Sequence, residues 1–161
     1  MKKFGNFILI CGTIMGLACI IQKTYKNKYE LGLQQAQKDR DKFWNMFQVM
    51  DDWVNKKIID RNVYDYLASH NYNEIAIYGL SYIGQTLVNE LEESNITIKY
   101  GIDVNYDTYW NEFPVVSPEN VTDNVDVIIV TVISEYGSIR SMLSGKVSCP
   151  IVSLDEIISV M

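Results

Sequence analysis

Hydrophobic and polar positions divide this chain into three regimes. Phe4 to Ile21 is an eighteen-residue run without a charge, with Asn6 and Thr13 as its clearly polar members. As a helix rising ~1.5 Å per residue it is about 27 Å long, enough for a bilayer core. From Lys23 to Lys57 there is no proline and one glycine, Gly32. Here Phe43, Met46, Phe47, Met50, Trp53 and Val54 follow the i, i+3, i+4, i+7 spacing of one helical face, and Asp41, Lys42, Gln48, Asp51 and Asp52 take the other. Gln34 to Arg40 lacks an apolar stripe and reads as a solvated stalk. Beyond residue 58, short apolar runs alternate with amphipathic ones. The expected organisation is a membrane anchor over 1–22, a helical stalk over 23–57 and a globular domain over 58–161.

Within the globular part the runs Ile75–Tyr78, Ile96–Ile102, Pro114–Val116, Val127–Val132 and Ile151–Ser153 predict strands. Val127–Val132 is continuously apolar, as a strand buried on both faces must be. Asp60 or Asn62 can cap a short helix through Val63, Tyr64 and Leu67 that stops near Asn71. Ile83, Leu87, Val88 and Leu91 give the next helix its apolar face, with Glu90, Glu92 and Glu93 outside. Ser138–Leu143 and Leu154–Val160 predict two more. Strands alternating with helices imply an α/β domain, a parallel sheet of about five strands with flanking helices.

The first predicted strand runs into Gly79-Leu80-Ser81-Tyr82-Ile83-Gly84, and the second closes on Asp103. A chain turning that sharply into a helix aims free N–H groups and the positive end of the helix dipole at one point, which suits a phosphate. Gly79 takes the tight turn, Gly84 lets the helix lie close to the sheet, and Asp103 stands where an acid accepts hydrogen bonds from a ribose diol. Ser81 occupies the place of a dinucleotide motif's second glycine, and bulky Tyr82 follows it. Thr131 and Ser134, after the fourth strand, face the same crevice. The candidate ligand-binding residues are therefore Gly79, Ser81, Tyr82, Ile83, Gly84, Asp103 and Thr131. The pattern is Rossmann-like. The alternative is a fold whose turn glycines serve packing alone.

The segment IAIYGLSYIGQTLVNELEESNITIKYGIDVN, with the later PVVSPENVTDNVDVIIVTVIS, resembles the Rossmann-like domains of bacterial polysaccharide-biosynthesis proteins. These include the amino-terminal domains of sugar O-acyltransferases and the nucleoside-diphosphate-sugar epimerase/dehydratase group. The resemblance covers about residues 74–157. It implies NAD(P) or a nucleotide-sugar as ligand, with Gly79, Ser81 and Gly84 at the phosphates and Asp103 at a sugar or ribose.

Charge and missing motifs narrow the function. The chain carries a formal net charge of −6, split between a basic segment 1–57, with ten Lys/Arg against five Asp/Glu, and an acidic remainder with four against fifteen. An acidic globular part argues against nucleic acid. Lys23, Lys26 and Lys28 just after the apolar run suit anionic headgroups, or serve as ordinary solubilising flanks. The epimerase pair Tyr-x-x-x-Lys is absent, and the nearest imitation is Tyr136 with Arg140. G-x-S-x-G fails at Ile83. His70 is the only histidine, and Cys11, Cys19 and Cys149 form no metal-ligand spacing. No catalytic or metal-binding residue is expected, and catalysis by this chain alone is not, which leaves a binding module, an interaction protein that keeps the fold without a ligand, or an accessory subunit of an enzyme completed by another chain. The expected partners are the membrane through residues 4–21, and the globular domain, a second copy or another protein through Phe43, Phe47, Met50 and Trp53. The globular part is expected on the cytoplasmic side.

Overall fold

A computed structural model describes residues 2–108 and 112–161, with side chains for 16–17, 19–108 and 112–161. The chain divides into two compact units, Met1–Phe43 and Trp44–Met161. The described residues of the first are helical, the start of α1 (Lys2–Ile58). Local pairs such as Gln35 with Asp39 at 3.0 Å and Lys26 with Glu30 at 3.9 Å line it. Most of the apolar run expected to cross a membrane, residues 4–21, has side chains outside the described residues. Among the described residues no helix is long and apolar enough to do so.

The second unit is a mixed α/β fold on a five-stranded parallel sheet. Its strands are β1 (Glu74–Tyr78), β2 (Thr97–Ile102), β3 (Val115–Val116), β4 (Val127–Val130) and β5 (Ile151–Ser153), in the order β3-β2-β1-β4-β5. That order, reversing between β1 and β4, is consistent with a Rossmann-like arrangement. The alternation of side chains along β1 shows why both faces need cover. Ile75 and Ile77 enter one core with Val127 and Ile129, under α2 (Val63–Ser69), α3 (Tyr82–Leu91) and α5 (Leu154–Val160). Ala76 and Tyr78 enter the other with Ile128 and Val130, under Ile139 and Leu143 of α4 (Tyr136–Leu143).

The compact unit begins earlier than residue 58 because the end of α1 is part of its core. Val49 and Trp53 are buried there, and Met46 and Met50 pack half-buried beside them. The joint is polar as well as apolar. The Glu90 carboxylate accepts the Trp53 indole N–H at 2.7 Å and the Val63 amide at 2.7 Å, and Lys57 approaches it at 3.5 Å. Glu90, expected outside α3, is therefore turned inward, its side chain 7% exposed. It also explains the start of α2. Asn62 occupies the N-cap position without a side-chain cap bond, and Glu90 takes the first amide instead. Lys56 Nζ closes the far side on the Met161 carbonyl at 2.6 Å. Trp53 is thus buried in the core of its own unit.

Candidate functional site

The register of the sheet builds the site. Tyr78 is level with Ile102 on β2 and with Val130 on β4. The next residues of three adjacent strands are Gly79, Asp103 and Thr131, which therefore emerge together at the carboxyl edge. This is the crevice expected from the sequence, and its parts are fastened to one another. The Gly79 amide donates to Ile102 O at 2.8 Å. The Leu80 amide donates to Asp103 Oδ2 at 2.9 Å, and the Asn105 amide to Asp103 Oδ1 at 2.9 Å. The Thr131 hydroxyl donates to Gly79 O at 2.7 Å and lies 3.1 Å from Tyr78 O. Asp103 and Thr131 are both buried.

The two glycines answer to sterics. Gly79 has φ +90°, a region L side chains rarely adopt, and a Cβ there would stand 2.5 Å from Val132 Cγ2. A Cβ on Gly84 would stand 2.1 Å from Gly79 O, so α3 lies against the turn only because nothing protrudes. Leu80 is fully buried and fills the space beside Gly101. Packing of the turn, one of the two roles read from the sequence, therefore accounts for both glycines.

Beyond the turn, α3 presents its N-terminus. Ser81 caps it from extended backbone without a side-chain bond, and the first helical bond is Gln85 N to Ser81 O at 2.9 Å. The amides of Ser81, Tyr82, Ile83 and Gly84 have no acceptor among the described residues. Tyr82 is 78% exposed beside them. Leu80, Ser81, Tyr82, Gln85, Thr86 and Asn89 line an open depression of about 440 Å³. So Ser81 and Tyr82 border open space, whereas Asp103 and Thr131 line the protein side of the turn. Ser134 is exposed in the 3₁₀ turn Ile133–Glu135.

Burial governs the titrating side chains that are shifted near the crevice. Burial, then the Asp103 carboxylate, raises the Tyr78 phenol above its usual value. Tyr136 is raised mainly by burial, and its hydroxyl donates to Ile151 O at 2.9 Å. Burial also raises the Cys149 thiol, away from the nucleophilic thiolate. The His70 ring is tilted against Tyr66 and stacked on Tyr72, with ring centroids at 4.2 and 5.5 Å. No cluster of three His, Cys, Asp or Glu among the described residues is placed to hold a metal ion.

Sequence reasoning missed the bond from Leu80 to Asp103 and the inward turn of Glu90. The first leaves no trace in a motif. The second had a signal, since a buried indole N–H needs an acceptor. Comparison with protein-family models, curated proteins and solved structures yields no match.

Proposed function

We propose that this chain is a non-catalytic, Rossmann-like module that binds a nucleotide or nucleotide-sugar, NAD(P) included, in the service of envelope-polysaccharide synthesis. In this reading residues 4–21 anchor it to the membrane, with the globular part on the cytoplasmic side. The observation that supports it is the α3 N-terminus at the carboxyl edge of the sheet, four amides without acceptors among the described residues, beside an exposed tyrosine ring. A phosphate rests on such amides, and a base or sugar has the Tyr82 face to lie on. Asp103 then holds the turn in shape, and any ribose hydroxyl shares a carboxylate that already accepts two amides.

Calorimetry of the full chain in mild detergent, against NAD(H), NADP(H), UDP-sugars and CoA, tests this. At least one should bind with a sub-millimolar Kd, and no binding at millimolar ligand overturns the reading. Tyr82→Pro removes one amide and the ring while proline remains acceptable at the first helical position. It should weaken binding at least tenfold, and Tyr82→Ala by less.

A second reading, an interaction protein that keeps the fold without a ligand, draws on the bonds that tie Asp103 and Thr131 to the turn. It expects Ser81→Gly to leave partner capture unchanged and Phe47→Asp to abolish it. The reverse pattern eliminates this second reading.

A further inference from the structure

α1 carries a second series, mostly apolar, that meets the stripe entering the core only at Met50. In the first unit Tyr29, Leu33, Ala36, Arg40 and Phe43 stand four, three, four and three residues apart. In the second unit Phe47, Met50 and Val54 continue the same alternation in sequence. Tyr29, Leu33 and Phe43 are exposed by 69%, 46% and 59%, and Phe47 and Val54 by 58% and 53%. At 3.6 residues per turn Phe47 lies about 120° around the helix from Trp53. The core of this chain therefore leaves Phe47 and Val54 uncovered and draws in only Met50 of the series.

We propose that this series is the seam of a parallel, in-register coiled coil between two copies of the chain. A strict alternation of three and four is a 3.5-residue period, and it keeps side chains aligned only against another helix winding with the first. A bilayer surface asks instead for a broad apolar face, and Arg40 interrupts this one. Arg40 also identifies the occupant. It falls at a core position of the heptad, and Asp39 falls at the flanking position before it. In a parallel pair each core knob enters a hole bordered by that flanking residue of the other helix, so Arg40 of each copy meets Asp39 of the other. In the single chain the Arg40 guanidinium rests on Asp41 at 2.8 Å, with both side chains largely exposed. Its charge is free to be shared. The two Arg40 side chains share a layer, at a cost in stability that sets the register, and the Asp39 carboxylates beside them offset the repulsion, a match that an antiparallel arrangement loses.

Light-scattering mass of the full chain in mild detergent, corrected for the micelle, should give about twice 18.5 kDa. The Phe43→Glu/Phe47→Glu double variant, changed at exposed positions, should fall to 18.5 kDa with its circular dichroism retained. In a background with Cys11, Cys19 and Cys149 replaced by Ser, Leu33→Cys should form an interchain disulfide under mild oxidation. Lys38→Cys, on the outer side of the heptad, should not. Monomeric wild type overturns the proposal, as does a dimer that survives the double variant, which would place association in residues 4–21. A dimer without the Leu33→Cys cross-link overturns the parallel pairing, and a one-to-one complex with a different chain overturns the second copy.

Discussion

A methyl group is the sharpest probe of the turn. Gly84 is required because a Cβ would stand 2.1 Å from a backbone carbonyl, which no side-chain rotation relieves. Gly84→Ala should destabilise the fold by ~3 kcal/mol through overpacking. Gly137 is the control. It is exposed in α4 with nothing within 4 Å of the missing Cβ, and Gly137→Ala should stabilise by about 0.5 kcal/mol through helix propensity. Urea unfolding of the two variants reads both signs, and equal effects would discredit this account of the turn. The same contrast explains how legible the site was. Gly79, Gly84, Asp103 and Thr131 were identifiable as one cluster because strand ends and glycines mark the carboxyl edge. Their tasks were not, because close packing and close approach of a phosphate select the same residue. Nor does a one-letter sequence reveal whether an acid at a strand end faces a ligand or, as Asp103 does, the nearest amide.

At the scale of elements, the joint of α1, α2 and α3 rests on Glu90. Removing a carboxylate that two donors use leaves both N–H groups without a partner. Glu90→Ala should cost about 3 kcal/mol. Trp53→Phe and Glu90→Gln should couple by ~1 kcal/mol or more in a double-mutant cycle. Simple additivity would show that the Trp53–Glu90 bond contributes nothing. Boundaries elsewhere moved for comparable local reasons. The fourth strand was expected to reach Val132 but stops at Val130: the Thr131 amide still makes the ladder bond to Tyr78 O, while its hydroxyl bonds the Gly79 carbonyl where β1 turns away. α4 begins at Tyr136, before the expected Ser138. β5 and α5 matched residue for residue, since Ser153 makes a clean break between them. Periodicity also merged two faces of α1 into one. Trp53 and Phe47 are six residues apart, close enough for a broad stripe, yet the first is buried and the second exposed.

For the molecule as a whole, the acidic charge of residues 58–161 is partly built into the fold. Asp126 accepts the Asn73 and Glu74 amides at 2.8 Å each, and these bonds hold its carboxyl below the usual 3.8. Glu119 and Asp123 are lowered by hydrogen bonds too, Asp123 first by Ser148. A lowered folded pKa means stability that is present above the unfolded value and lost as pH falls through the folded one. Stability should therefore decline with acid below about pH 4. Asp126→Asn should cost about 1 kcal/mol near neutrality, a figure already discounted for exposure, and the gap to wild type should close in strong acid. Unfolding curves across that range check it, and a gap independent of pH would count against the assignment. The placing of two indoles also gives the molecule an optical gauge of its own. Trp53 is 2% exposed and bonded to a carboxylate, whereas Trp44 is 58% exposed and stacked on Phe47. With Trp110 replaced by Phe, a collisional quencher added to the folded chain should extinguish only the Trp44 component of the emission. Shielding of that component as concentration rises would report two chains meeting, while an unchanged Trp53 component would show the core undisturbed.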